Sequence, residues 1–276
     1  MPPLVEVEDL HHSFPDGWDA LNGVSLTIAE GERVALIGRN GSGKTTLAKH
    51  LNGLLRPTRG RVIVAGVDTR EVEVGALARQ VGYAFQNPDH QIFASTVIEE
   101  LAFGPTVQGV PPLEVRQRVA AELEAFGLEQ VASQPPAILP PGLRRKVAIA
   151  SVLTSHPRLL ILDEPTVGLD AWEQREVFDR VALYSADGNT VLLITHDMNL
   201  VARWACRCLL LEDGRLLADN LAARVLCDVS ALAKAGMKAP PLARLGHALA
   251  DLGMPQGHLS PSDFAAAFLA LLGGCP

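Results

Sequence analysis

Basic residues are the minority charge in this 276-residue chain: 24 Lys and Arg against 31 Asp and Glu leave a formal net charge of -7. That balance argues against a nucleic-acid backbone as a partner. Cysteine is scarcer still. Cys206, Cys208, Cys227 and Cys275 show neither a Cys-x-x-Cys pair nor zinc spacing, which points to buried or incidental thiols in a reducing compartment. Strand alternation would put Cys206 and Cys208 on one face. No apolar run approaches the ~18 residues of a membrane span, and Phe264 to Leu272, the longest candidate, falls far short. The start, Met1-Pro2-Pro3-Leu4, lacks the basic and apolar segments of a signal peptide. No internal repeat is present. What is plentiful is apolar residues, at 48%. The length accommodates one large domain, or one with a small appendage, and such a composition suits a soluble protein that buries extra apolar surface against partners.

The most informative stretch is Gly38-Arg39-Asn40-Gly41-Ser42-Gly43-Lys44-Thr45-Thr46, which matches G-x-x-x-x-G-K-[ST] from Gly38 to Thr45. Val34-Ala35-Leu36-Ile37 before it reads as a buried strand and Leu47 to Leu51 after it as helix, the context a phosphate-binding loop requires. Its glycines let successive N–H groups turn toward phosphate oxygens, and the helix adds its positive end. Lys44 would reach the β- and γ-phosphates of a nucleoside triphosphate, and the Thr45 hydroxyl would sit on Mg²⁺.

The flanking sequence predicts antiparallel strands at Leu4–Val7 and Val24–Ile28 around a turn at Asp16-Gly17. Phe14, just before that turn, is placed to stack on a base. Arg61–Ala65 and Val81–Phe85 read as further strands. From about 87 to 156 the pattern becomes helical, with Val115, Val119, Leu123 and Phe126 at helical spacing. Leu159–Leu162 and Val191–Ile194 are short apolar runs typical of central parallel strands, and Cys206–Ala218 reads as a hairpin about Asp213-Gly214. Residues 221–276 read as short helices broken by Pro240-Pro241 and Pro255, a separate C-terminal module.

Three of these strands end in chemistry. Asp163 at the end of Leu159–Leu162 is positioned to hold Mg²⁺ through water, and the adjacent Glu164 to polarise an attacking water. His196 follows Val191–Thr195 and can reach the same crevice to bond a γ-phosphate. Gln86 ends the Tyr83–Phe85 strand, where its amide can touch both Mg²⁺ and the water.

The loop, Gln86, Asp163-Glu164-Pro165-Thr166, Gly168-Leu169-Asp170 and Thr195-His196-Asp197 occur in the order of an ABC-type ATPase, which the chain resembles over most of its first 220 residues. Within that superfamily, Phe85-Gln86-Asn87-Pro88-Asp89-His90-Gln91-Ile92-Phe93 is similar to the energy-coupling-factor ATPases of cobalt, nickel and vitamin uptake, and the tail around Ala239–Leu245 agrees. The resemblance implies an α/β P-loop NTPase: a RecA-like core with antiparallel β and helical subdomains over residues 1–220, and a helical dimerisation module over 221–276. It implies ATP and Mg²⁺ as cofactors, a peripheral place at the cytoplasmic face of the cell membrane, and a head-to-tail dimer of ATPase subunits. It also implies a transmembrane T component gripped by the helical subdomain and an S component that selects the substrate. The apolar Phe264, Phe268, Leu269, Leu271 and Leu272 suit a contact between subunits. A soluble non-transport ABC ATPase would need a coiled-coil insertion or second cassette that the sequence lacks.

One departure stands out. Where the family has Leu-Ser-Gly-Gly-Gln, this chain has Leu139-Pro140-Pro141-Gly142-Leu143, in a register set by the basic run and Val147-Ala148-Ile149-Ala150. Pro140 replaces a hydroxyl that would bond the γ-phosphate of the partner subunit's ATP, and both prolines lack N–H donors. Proline suits a first helical turn, so the fold should tolerate them, and Gly142 keeps its N–H for the nucleotide. The expectation is a heterodimer, favoured over a homodimer, with one weak site, or alternatively a low-turnover nucleotide-binding regulatory subunit.

Overall fold

The computed structural model describes residues 3–273. Strands β1 (Val5–Ser13), β2 (Asp19–Ile28) and β3 (Arg33–Ile37) lead into helix α1 (Lys44–Leu51). Then come β4 (Arg59–Val64), β5 (Val67–Asp68), the short α2 (Val74–Leu77) and β6 (Val81–Ala84). Three helices follow, α3 (Val97–Val107), α4 (Pro112–Ala125) and α5 (Pro141–Leu153), before β7 (Leu159–Asp163), α6 (Ala171–Ala186), β8 (Thr190–Ile194) and α7 (Met198–Trp204). The hairpin β9 (Arg207–Glu212) and β10 (Arg215–Leu221) precedes α8 (Ala222–Cys227), α9 (Val229–Lys234), α10 (Pro241–Ala248) and α11 (Pro261–Gly273). Among the described residues, no helix is long and apolar enough to cross a membrane.

The strands form two sheets. One is antiparallel, in the order β2-β1-β4-β5; the other runs β10-β9-β3-β8-β7-β6 and is parallel except at its β10 edge. Parallel strands need crossovers, so β3 lies between β8 and β9, far from both in sequence. All five residues of β7 and of β8 are buried, as apolar runs covered on both faces must be. Alternation then divides the core. Val34 and Leu36 of β3, with Leu159 and Ile161 of β7, pack under the antiparallel sheet. Leu160 and Leu162 face the other way, toward Leu101 of α3, Val119 of α4 and Ile149 of α5.

The C-terminal residues depart from the sequence reading. Ala222, Val225 and Leu226 of α8, Leu232 of α9, and Ala235 and Ala239 beyond it share one hydrophobic cluster with Ala35 and Ile37 of β3 and Cys208 and Leu210 of β9. The start of the tail therefore covers the central strands and is packed as part of their core, because that face of β3 would otherwise meet water. Further on, Phe264 is buried, while Leu269 and Leu272 remain 67% and 58% exposed on α11. Cys206 also differs from expectation. It precedes β9 and is exposed, whereas Cys208 within the strand is buried; Cys275 lies outside the described residues.

A buried histidine pair ties the antiparallel sheet to α1. The Nδ1–H of His50 donates to Thr46 O (2.7 Å), so its Nε2 accepts from His12 Nδ1–H (3.2 Å), which also faces Arg56 O (3.3 Å). This arrangement requires neutral His50, and burial pushes its pKa down to about 4. The unfolded chain takes up this proton near the ordinary histidine value of 6.5, so stability that is present above that pH is lost as pH falls toward about 4. We predict a loss of about 2 kcal/mol between pH 7 and 5 from this group. Urea unfolding at the two pH values should show it, and His50→Gln should flatten the profile by that amount; an equal slope in the variant would refute the assignment.

Candidate nucleotide site

The parallel strands β3, β6, β7 and β8 all end at one edge of the sheet, and the predicted residues gather there. Ile37 leads directly into Gly38, and the pairing of Asp163 with Ile194 brings the end of β7 level with the end of β8, two residues before His196. The loop that follows β3 is closed by contact. A Cβ on Gly38 would lie 2.2 Å from Leu211 O and 2.5 Å from Ser42 Oγ, and one on Gly43 would lie 2.5 Å from Ala20 O. Gly43 also adopts φ +100 immediately before α1 begins at Lys44. Asn40, Gly41, Gly43, Lys44, Thr45 and Thr46 line a cavity of about 330 Å³, together with Gln86, Asp163 and Glu164. Gly38 and Arg39 line an adjoining one. Ser42 is buried, and its hydroxyl is without a partner among the described residues; a phosphate oxygen would satisfy it.

Lys44 donates to Gly38 O (2.9 Å) and Arg39 O (2.8 Å), spanning the loop. Burial lowers its pKa, opposed by the nearby Glu164 and Asp163 carboxylates. One oxygen of Asp163 takes two hydroxyls: Thr45 Oγ1 donates to Oδ2 at 3.1 Å and Tyr83 OH to the same atom at 2.8 Å. Burial raises the Asp163 pKa, partly offset by those two donors. Thr45 hydroxyl, Asp163 carboxylate and Gln86 amide are hard oxygen donors at one cavity mouth, a set that suits Mg²⁺. Glu164, beside them, has φ +48, a sparsely populated backbone conformation for a side chain of its size. Its backbone N–H donates to Ile194 O (2.8 Å), Thr195 Oγ1 donates to Oε2 (3.1 Å) and His196 Nδ1 lies 2.8 Å from Oε1. Both carboxylate oxygens are thereby oriented by the end of β8.

Two partners in this network have no role assigned by motif reading. Tyr83 and Thr195 hold Asp163 and Glu164, and their signals are simply positions: one on the strand paired with β7, the other just before His196. The expectation for Phe14 is corrected. Phe14 does not line the cavity; Trp18 does. The turn joining β1 to β2, closed by Phe14 N–H to Trp18 O (2.9 Å), folds the indole back so that Phe14 stacks behind it, rings 5.5 Å apart and nearly parallel. Phe14 in turn meets His12 edge-on. Gly142 lies elsewhere, buried in the first turn of α5, where a Cβ would fall 2.6 Å from the Glu173 carboxylate; it is not part of this chain's own cavity.

Comparison with known proteins agrees with this geometry. Residues 21–167 match the family model described as ABC transporter. The chain is 39% identical over 275 residues to the energy-coupling factor transporter ATP-binding protein EcfA of Methanothermobacter thermautotrophicus, covering 98% of this chain and 88% of that one. It is 43% identical to an ABC transporter ATP-binding protein of Caldanaerobacter subterraneus subsp. tengcongensis, covering 89% of this chain but spanning only 43% of that protein's length. Among solved structures, cbiO1 from Clostridium perfringens, described as part of the ABC transporter complex cbiONQ, superposes with a TM-score of 0.75. That match has 31% identity and covers 90% of this chain and 99% of that one.

Lys44→Ala removes a buried cation from the loop that lines the cavity. We predict nucleoside triphosphate binding weakened about 10- to 150-fold, the equivalent of a charge-assisted contact of about 1.5–3 kcal/mol. Fluorescent-nucleotide titration measures it, and unchanged affinity would remove the loop from the site.

Proposed function

The chain belongs to the ABC transporter family of ATP-binding proteins, and from that premise we propose that it hydrolyses ATP to drive uptake through an energy-coupling-factor type assembly. The observation that carries this reading is Glu164, oriented by Thr195 and His196 beside the Asp163–Thr45 pair at the mouth of the loop. A carboxylate so fixed can align a water and accept its proton as the water attacks the terminal phosphorus. Lys44 and the loop N–H groups stabilise the charge on the phosphate oxygens. Thr45, Asp163 and Gln86 would hold Mg²⁺, which would supply charge neutralisation to the phosphate oxygens.

The membrane partner's surface is suggested by exposed apolar groups. Phe93 and Phe103 meet edge to face at 4.6 Å and are 65% and 48% exposed, with Ile98 and Val107 of α3 alongside. They adjoin the segment after Gln86, which Gln91 joins to α5 by accepting from Phe85 N–H and donating to Ala148 O. A T component's cytoplasmic helix is the proposed occupant, which places the chain peripherally at the cytoplasmic face of the membrane; an S component supplies the substrate. Phe93→Asp should abolish co-purification with the membrane component while leaving nucleotide affinity within about twofold, because a buried unpaired charge is costly only in the complex. Retained assembly would refute the surface.

A second reading rests on a specific feature, the altered signature. Pro140 is the N-cap of α5 and Pro141 its first residue, both exposed, and the helix begins regularly with Arg144 N–H to Pro140 O at 3.0 Å. The prolines thus fit the backbone and alter only what the helix offers another subunit: no hydroxyl, and two fewer N–H donors. In a heterodimer with an intact partner, ATP on this chain's loop meets a complete signature, and ATP on the partner's loop does not. Loss of one preorganised donor costs roughly 100- to 1000-fold in rate. Glu164→Gln is therefore predicted to remove nearly all turnover and the matching change in the partner little, while Pro140→Ser with Pro141→Gly raises the slow site. Fast hydrolysis by the purified chain alone, with both signatures altered, would overturn the asymmetry. Negligible turnover in the full assembly would favour the low-turnover regulatory role.

A further inference from the structure

The crevice at the sheet edge has two compartments that meet at Asn40, Gln86 and Glu164. The first holds Lys44, Thr45 and Asp163. The second, of about 500 Å³, lies on the His196 side of Glu164, and its far wall comes from the C-terminal tail: Gly236, Met237 and Lys238. Nothing in the loop, acid pair or histidine requires a tail residue there.

That wall is built in. Leu232 and Ala235 before the turn and Ala239 after it are buried in the cluster with Ile37. Gly236 ends α9 in a left-handed conformation, φ +65, with its N–H on Ala233 O (3.0 Å) and Met237 N–H on Leu232 O (2.8 Å). A Cβ at Gly236 would fall 2.7 Å from Arg39 Cδ, so the turn is pressed against the phosphate loop. Arg39 and Lys238 are both exposed and line the same cavity, which makes its far side cationic in a chain of net charge -7. The anionic group of the cavity, Glu164, stands at its entrance with its oxygens engaged by Thr195 and His196.

We propose that this second compartment is a holding site for orthophosphate, with Arg39 and Lys238 as its cationic walls. The proposal rests on the hydrolytic reading above. In that reaction the water oxygen bonds to the γ-phosphorus, and the bridging P–O bond breaks with its electron pair going to ADP. The water proton passes to Glu164 and then to solvent. The product dianion is then repelled by the recovered Glu164 carboxylate and attracted by Arg39 and Lys238, which line the same compartment. Lys238, contributed by the tail, thereby makes the C-terminal segment a reporter of the phosphate's position.

Direct titration tests this without turnover. Orthophosphate is added to the full chain saturated with ADP and Mg²⁺, and its affinity is compared among wild type, Lys238→Gln, Lys238→Arg and Lys234→Gln, the last an exposed lysine on α9 that does not line the cavity. Lys238→Gln is expected to weaken orthophosphate about fivefold, as loss of a partly exposed charge contact does; Lys238→Arg and Lys234→Gln should match wild type. Unchanged affinity in Lys238→Gln, or an equal loss in Lys234→Gln, overturns the holding site while leaving the ATPase reading intact. Failure of ADP to bind overturns the nucleotide reading, and the holding site with it.

Discussion

The molecule is organised by a steric constraint at Gly38. The backbone leaving β3 passes so close to Leu211 O of β9 and to Ser42 that no Cβ fits. That closeness is what lets the loop curl over the end of the sheet and bring α1 down on it with Lys44 and Thr45 in its first turn. It also makes β9 part of the site's foundation. Since β9 lies beside β3 in the sheet, and α8 and α9 cover both strands, the tail is bound to the loop by packing before any ligand is involved.

Charges in the crevice are sustained by one another. Burial works against the ionised forms of Lys44 and Asp163 alike, pulling the first pKa down and pushing the second up. Each is partly restored by neighbours: Lys44 by the two carboxylates, Asp163 by the Thr45 and Tyr83 hydroxyls. Such a cluster is costly to bury unless every member has a partner. The φ +48 of Glu164 belongs to the same economy, since it turns one acid toward Thr45 and Tyr83 and its immediate neighbour toward Thr195 and His196.

Much of this was legible in the chain. Glycines at fixed spacing, apolar runs that end in Asp163 or just before His196, and the helical stretch near 87–156 each have a local physical cause, so local reading finds them. What resisted reading depends on tertiary distance. Whether Phe14 or Trp18 faces the cavity turns on how tightly the Asp16-Gly17 turn closes, and both flank that turn equally well. Tyr83 belongs to no motif and Thr195 only precedes His196 in one; strand pairing brings them to the acids. The tail's short, proline-broken helices look detached in sequence, because their apolar residues are partnered by β3 and β9, some two hundred and some twenty positions away.

The altered signature acquires its meaning from this packing. Pro140 and Pro141 stand exposed at the start of α5, while Arg145 from the same helix reaches inward and donates to Phe85 O (2.8 Å) and Gln86 O (2.5 Å). One face of α5 is thus committed to positioning this chain's own Gln86, while its N-terminus stands exposed where the proposed dimer would place a second subunit. Substitution at the exposed end spares the inner contacts, since a proline at a first helical turn removes donors that the helix itself does not use. In the heterodimer proposed above, such a chain would weaken the site it completes for its partner and keep the one it holds itself, the physical condition for two unequal sites in one assembly.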